Sequence, residues 1–324
     1  MMFEGKKIFI SGGTGSWGQE LTKQLLKQNP EQVIIYSRGE GSQVEMERAF
    51  CDSRIKFNIG DVRDYGALYE AMGGVDYVFH AAALKHVPIC ENQISEALKT
   101  NVDGTKNIID CAISRKVKKF IDISTDKVVD PANLYGMTKA IAEKLTIQAN
   151  CRTKDTDFIV TRTGNVLGSN GSIVPFMIDC IRKNNTVTVT DRNMVRFFIT
   201  LPTAIDLLFH AIERGKGGEI FVKDIEAFYI TNLATLLVER YGNKDTEIMF
   251  SSIREGEKVD EALISENEGM RTYRHDDYLI IYPQLNTGRE YGGRIRSFGM
   301  GLESKHRMST QARLKELLIE GGLI

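Results

Sequence analysis

The chain has 324 residues, 42% hydrophobic and 26% charged, with 42 basic side chains against 43 acidic ones for a net charge of −1. This excludes a disordered chain and leaves room for one large domain or two closely packed ones around a sizeable core. The balanced charge removes the global basic field that nucleic acid or an anionic membrane would need, so neither is expected as a partner and a small-molecule ligand is.

In chain order, Met1 to Ile10 turns from charged to apolar for only a few residues before reaching glycines, too short a run for a signal peptide or an anchor. No later run approaches the roughly 20 apolar residues of a membrane span, and a cytoplasmic protein is expected. Lys7 to Ser11, Gln32 to Ser37, Arg54 to Asn58, Tyr77 to Ala81, Lys119 to Ser124 and Asp157 to Thr161 each read as a buried strand. Between them, amphipathic stretches such as Gly18 to Gln28 and Ile94 to Arg115 are long enough for crossover helices. A repeated strand, helix, strand order predicts a doubly wound parallel sheet of the α/β class. Beyond Thr161 the pattern loosens into loops around Gly164, Gly168 and Gly171. A helix follows from Leu201 to Arg214, and Gly218 to Val222 reads as a strand returning to the sheet. The cysteines, Cys51, Cys90, Cys111, Cys151 and Cys180, form no CxxC and no Cys/His cluster at zinc spacing, so they read as idle thiols in a reducing compartment and no metal is expected.

The first strand runs into Gly12-Gly13-Thr14-Gly15-Ser16-Trp17-Gly18 and then a helix. Gly12, Gly15 and Gly18 fit GxxGxxG, which permits a tight turn, close approach of backbone to a pyrophosphate and tight helix-to-strand packing. Thr14, Ser16 and Trp17 complete this loop, and its place at the first βα unit makes a dinucleotide site the preferred reading. At the end of the second strand, Ser37-Arg38 replaces the acidic residue that binds an NAD ribose; Arg38 suits a 2′-phosphate, which favours NADP, with NAD possible because Glu40 is close. Asp61-Val62 after the third strand is placed to reach the adenine edge, and Ala81-Ala82-Ala83 after the fourth offers bare backbone. The expected division is a dinucleotide-binding domain from residues 1–165 with 201–222 and a smaller substrate lobe from 166–200 with 223–324.

The chemistry-bearing segment is Thr125-Asp126-Lys127 at the end of the fifth strand, followed by Tyr135 and Lys139. Tyr135 and Lys139 are four apart and share a helix face. There a lysine ammonium lowers the phenol pKa and holds the nicotinamide ribose, coupling proton removal to hydride transfer. Lys85, Asn165, Arg196, Arg254 and Glu257 are candidates for a nucleotide diphosphate and its ribose, with Val166 beside Asn165. His86 reads as a satisfied structural histidine, and His275, in the charged run Arg271 to Asp277, as a solvated loop residue.

On these residues the chain resembles an extended short-chain dehydrogenase/reductase, and within that group the UDP-N-acetylglucosamine 4,6-dehydratases of flagellin and capsule sugar pathways, including the C5-inverting enzymes that begin pseudaminic acid synthesis. The matching stretches are Gly12 to Gly18, Ala81 to Pro88, Thr125 to Lys127, Tyr135 to Lys139, Gly164 to Ser169, Arg196 to Thr200 and Gly256 to Lys258. The resemblance implies a Rossmann fold, a UDP-N-acetylhexosamine substrate and a cofactor regenerated in each cycle. It implies that Tyr135 takes the C4 hydroxyl proton, Lys127 the C5 proton, and that Asp126 protonates the departing C6 hydroxyl. It also implies a homodimer built on the Ile94 to Arg115 and Gly136 to Cys151 helices, with a hexamer possible. Gly39-Glu40-Gly41-Ser42, Thr163, Val259-Asp260-Glu261 and the segment from Asn286 to Ile324 depart from the family pattern. These keep open a companion enzyme acting on a 4-keto or 5,6-ene intermediate by C4 redox and C5 epimerisation. A non-catalytic dinucleotide sensor is the third reading; such proteins lose the Tyr or Lys that this chain retains.

Overall fold

Runs rich in Ile, Val and Phe form six strands: β1 (Lys7–Ser11), β2 (Gln32–Ser37), β3 (Ile55–Ile59), β4 (Tyr77–His80), β5 (Lys119–Ile123) and β6 (Asp157–Arg162). In the computed structural model, which describes residues 1–291 and 298–324, they lie in the order β3-β2-β1-β4-β5-β6. All neighbours are parallel. The sheet is apolar on both faces because helices cover both. Ile8 and Ile10 point into one core with Leu21, Ile121 and Leu208. Phe9, between them, points into the other with Ile34, Ile108 and Phe120. The strand order reverses between β1 and β4, which opens a crevice beyond their C-terminal ends.

Ile220–Lys223 joins β6 in parallel, as the returning strand predicted from Gly218 to Val222. The hairpin Thr272–His275 and Tyr278–Ile281 then closes that edge in antiparallel fashion. This hairpin was assigned to the second lobe, and its ladder places it on the main sheet instead. His275 is correspondingly the end of a strand, near His210, which stacks on Tyr278 at 3.7 Å, and not a loop residue. Residues 292–297, inside the expected second lobe, lie outside the described residues.

Leu167, Val174, Met177, Leu233, Leu237 and Leu314 form a separate core. Its helices, Ile173–Asn184, Ile230–Tyr241 and Gln311–Glu320, stand where the sequence was read as loops or left unassigned. Arg162, the last residue of β6, clasps the Leu134–Ala149 helix to the segment 263–268. Its guanidinium donates to Glu143 at 2.7 and 3.1 Å, to Glu268 at 2.9 and 3.0 Å, and to the Leu263 carbonyl at 2.8 Å.

The predicted helix from Ile94 to Arg115 is interrupted: Ile94–Leu98 and Gly104–Ser114 flank a π-helical turn at Lys99–Asp103. That turn sends the Asn101 side chain inward, where it bonds both the amide and the carbonyl of Leu84 and the Thr138 hydroxyl. The Leu134–Ala149 helix starts at Asn133, whose side chain caps the Gly136 amide at 2.8 Å. Its inner face carries Lys139, Glu143 and Thr146, while Met137 and Ile141 are 46% and 44% exposed outside, so the apolar stripe faces outward. Among the described residues no helix is long and apolar enough to cross a membrane.

Candidate active site

A cavity of about 690 Å³ occupies the β1/β4 crevice. Gly12, with φ +68°, makes it possible: a Cβ there would lie 2.8 Å from the Ala82 amide nitrogen, so nothing but hydrogen lets the two loops meet. Gly15 is the N-cap of the Ser16–Leu26 helix and supplies no side-chain cap, which leaves the first helical N–H groups for an anion. Gly12, Thr14, Gly15, Ser16 and Trp17 line the cavity from β1; Ser37 and Arg38 do so from β2, Asp61 and Val62 from β3, and Ala81, Ala82 and Ala83 from β4. Gly18 does not line it but packs the helix on Gly13, where a Cβ would be 2.2 Å from the carbonyl oxygen. Burial acts to raise the Asp61 carboxyl pKa, but the paired hydrogen bonds from Arg63, at 2.6 and 2.9 Å, hold it below the usual carboxylate range. These features fit a dinucleotide.

Lys85, expected on the substrate, lines this first cavity instead. Its Nζ donates to the Asn170 carbonyl at 2.7 Å, because the Ser169–Gly171 segment folds over the crevice and is tied down by the Ser16 hydroxyl on the Asn170 amide. His86 is not a satisfied structural histidine: it is exposed, lines both cavities and abuts Gly171.

A second cavity, of about 660 Å³, adjoins the first and takes in Lys127, Asn165, Arg254, Glu257 and Glu261. After β5 the chain makes one 3-10 turn, Asp126–Val128, with Thr125 as N-cap. Thr125 donates its hydroxyl to Asp126 Oδ1 at 2.9 Å, and Lys127 Nζ reaches the same oxygen at 3.0 Å and Asn165 Oδ1 at 3.4 Å. Glu261 Oε1 stands 3.8 Å from Lys127 Nζ on the other side. Asp126 and Glu261 are buried, and Asp126 Oδ2 and Glu261 Oε2 have no hydrogen-bond partner among the described residues. Burial pushes the Glu261 carboxyl up, against the pull of Lys127. The lysine thus sits between two buried carboxylates, an arrangement in which one proton can change owner without a change of net charge.

Two substrate-side expectations are corrected. Arg196 borders this cavity, but its guanidinium donates to the carbonyls of Val195, Lys258 and Val259 at 2.7 to 3.0 Å and turns its Nε toward Glu261 Oε1 at 4.0 Å, so it is engaged mainly within the chain. Val166 pairs with Ile199 in a short strand and faces the core. Arg254 and Glu257 close a tight loop, the Arg254 amide on Glu257 Oε2 at 3.1 Å, and the Gly256 carbonyl accepts from Asn133 Nδ2 at 2.9 Å, which ties this loop to the start of the Leu134–Ala149 helix.

The Tyr135 and Lys139 pair departs furthest from expectation. Neither lines the two cavities. Burial pushes the Tyr135 phenol well above its ordinary range, Thr125 pulls it back, and Asp126 adds to the rise. The expected lowering by Lys139 is absent because the lysine Nζ is bound to Asp122 Oδ1 at 2.8 Å beneath β5. Asp122, Asn101, Arg162 and Glu261 were not picked out as functional from the sequence; a lone Asp in the apolar run Lys119–Ile123 is the signal that could have found the first.

The family model for polysaccharide biosynthesis proteins matches residues 8–283. A Campylobacter jejuni protein named UDP-N-acetylglucosamine 4,6-dehydratase (inverting) is 44% identical over 288 residues, 88% of this chain and 85% of its own. A Rickettsia felis protein named UDP-glucose 4-epimerase is 44% identical over 273 residues, 82% of this chain and 80% of its own. Among solved structures, Pen from Bacillus thuringiensis superposes with a TM-score of 0.95 at 35% identity, each chain covered in full. On the extent of these matches, with the parallel sheet and the glycine loop at its crevice, the chain belongs to the polysaccharide biosynthesis protein family, within the extended short-chain dehydrogenase/reductases.

Proposed function

We propose that the protein is a UDP-N-acetylglucosamine 4,6-dehydratase that inverts C5. The observation that carries this reading is Lys127 Nζ held 3.0 Å from the buried Asp126 at a cavity wall, a base and an acid side by side. Bound nicotinamide dinucleotide supplies the hydride acceptor at C4 and the donor at C6. Tyr135, once its phenol has given up its own proton against the rise that burial imposes, takes the C4 hydroxyl proton as the ketone forms, and Lys139 holds the ribose. The ketone acidifies C5–H. Lys127, having passed its proton to Asp126, is then neutral and removes the C5 proton, while Asp126 returns the transferred proton to the leaving C6 hydroxyl. Hydride return to C6 is completed by a solvent-derived proton delivered to C5 on the face opposite Lys127, which inverts C5, and the proton count across the Lys127–Asp126 pair is conserved.

A 4-epimerase needs only the Tyr135 and Lys139 pair and leaves Asp126 and Lys127 without a task. Incubation with UDP-N-acetylglucosamine followed by mass measurement and proton NMR separates the readings: a product lighter by one water supports the dehydratase, a C4 epimer of unchanged mass supports the epimerase, and unchanged substrate favours the companion enzyme acting on a dehydrated intermediate.

For the cofactor we favour NADP. Arg38 is 58% exposed at the end of β2, and the following helix, Glu40–Phe50, starts at Gly39 without a side-chain cap. Both suit a 2′-phosphate. An Arg38→Ala variant is expected to lose roughly ten- to a hundredfold in NADPH affinity with NADH affinity unchanged, since a charge-assisted hydrogen bond is worth about 1.5–3 kcal/mol. Equal losses for both in a binding titration would remove the assignment. The outward Met137 and Ile141, with Ile94 and Leu98 also exposed, support a homodimer, with a hexamer as a further assembly. A monomeric mass in light scattering would count against it.

A further inference from the structure

Asp122 lies inside β5 among Phe120, Ile121 and Ile123, where strand burial favours an apolar side chain. Alternation puts it on the same face as Phe120, toward the Leu134–Ala149 helix. There its Oδ1 accepts from Lys139 Nζ at 2.8 Å, the two side chains being 0% and 3% exposed, and Thr146, two turns along the helix, donates to Oδ2 at 3.5 Å. A buried ion pair is no more stabilising than a well-packed apolar pair of the same volume, so packing alone gives no reason for it.

We propose that Asp122 is a positioning residue for Lys139, anchoring the lysine ammonium from beneath β5 so that its remaining donors meet the nicotinamide ribose of the bound dinucleotide. This rests on the reading of Lys139 as the ribose partner. An ammonium has three donors, of which the carboxylate takes one and fixes the direction of the others. The other titratable groups facing the pair and Tyr135 are His80 on β4, which burial holds down to about 4 and hence neutral, Asp126 in the turn after β5, and Cys90 on the Val87–Asn92 helix. None of these supplies a second counter-ion within hydrogen-bond reach of Lys139 among the described residues.

The test is the dissociation constant of NADPH, with NADH in parallel, followed by fluorescence in the native protein, Asp122→Asn, Lys139→Met and the double variant. Asp122→Asn is expected to bind both dinucleotides, which share the nicotinamide ribose, about tenfold more weakly, and the double variant to be no weaker than Lys139→Met alone, because Asp122 acts only through the lysine. Should Asp122→Asn fail to fold, Asp122→Ser, which removes the carboxylate with a smaller side chain, is read in the same way. Native-like affinity in the Asp122 variant, or a loss that persists in full on the Lys139→Met background, overturns the proposal. A native protein that binds neither dinucleotide overturns instead the reading of the ribose site on which the proposal stands.

Discussion

A Lys127→Arg variant is expected to lose about 10²- to 10⁴-fold in dehydration rate, the range for removal of a positioned general base. Arginine keeps the positive charge between Asp126 and Glu261, so the two buried carboxylates stay compensated and the fold is preserved. What it cannot do is become neutral near pH 7 and accept the C5 proton. C4 oxidation does not involve Lys127, so reduced nicotinamide is still expected to appear in a single turnover, and then to persist because the ketone has no route onward. Lys127→Met is a harsher change, since it leaves Asp126 with no cation and Glu261 with only Arg196 Nε, 4.0 Å away. Stopped-flow absorbance with product analysis distinguishes these steps. Native dehydration rates in Lys127→Arg would remove Lys127 as the base.

The second large effect is on stability. Replacing Arg162 by Met leaves Glu143 buried with no cation and Glu268 with only Arg271, 3.8 Å away, and the expected loss is about 3–5 kcal/mol. The pH dependence of that loss is diagnostic. Burial acts to raise the Glu268 pKa, but the Arg162 charge outweighs it and holds the carboxyl near about 2, against an ordinary 4.5. A carboxyl depressed in the folded state contributes its stability in full above the unfolded pKa and loses it as pH falls through the folded one. The native protein therefore weakens between about pH 4.5 and about pH 2 through this group. Without Arg162 the buried carboxyls prefer the protonated form, so mild acidification is expected to recover part of the lost stability. Denaturant unfolding at several pH values checks both signs. A variant within about 1 kcal/mol of the native protein at neutral pH would show that the clasp is dispensable.

The six parallel strands were legible because residues buried on both faces leave an apolar run with little else to become. The helices of the separate core were not, although Val174, Met177 and Ile181 in Ile173–Asn184 carry helical spacing; the flanking glycines at Gly168 and Gly171 drew attention to loops instead. The edge hairpin also had a signal: Asp276-Asp277 turns between Thr272–His275 and Tyr278–Ile281, and Asp276 takes a positive φ of 52°. The mixed charges around that turn hid the alternation of buried Leu279 and Ile281.

For the site, the glycine loop was readable as a turn lining the crevice and Thr125-Asp126-Lys127 as one local polar cluster, because both are built from neighbours in the chain, whereas Tyr135 and Lys139, read as a working pair from their spacing, line neither cavity. Contacts between distant segments were not readable. A polar residue inside an apolar strand signals a buried partner without naming it. Asp122 proved to belong with Lys139, Arg162 with Glu143 and Glu268, and Arg196 with three backbone carbonyls instead of a ligand phosphate. Lys85 was misplaced for a related reason, since the Asn170 carbonyl that claims it lies 85 residues away in the chain.

The measurement that bears most directly on the dehydratase reading is turnover of UDP-N-acetylglucosamine in heavy water, followed by proton NMR of the product. Loss of one water, with a single deuterium at C5 and the inverted C5 configuration, is the expected result. A product that keeps its C6 hydroxyl and its original C5 hydrogen would contradict the assignment of Lys127 and Asp126 as the acid and base pair.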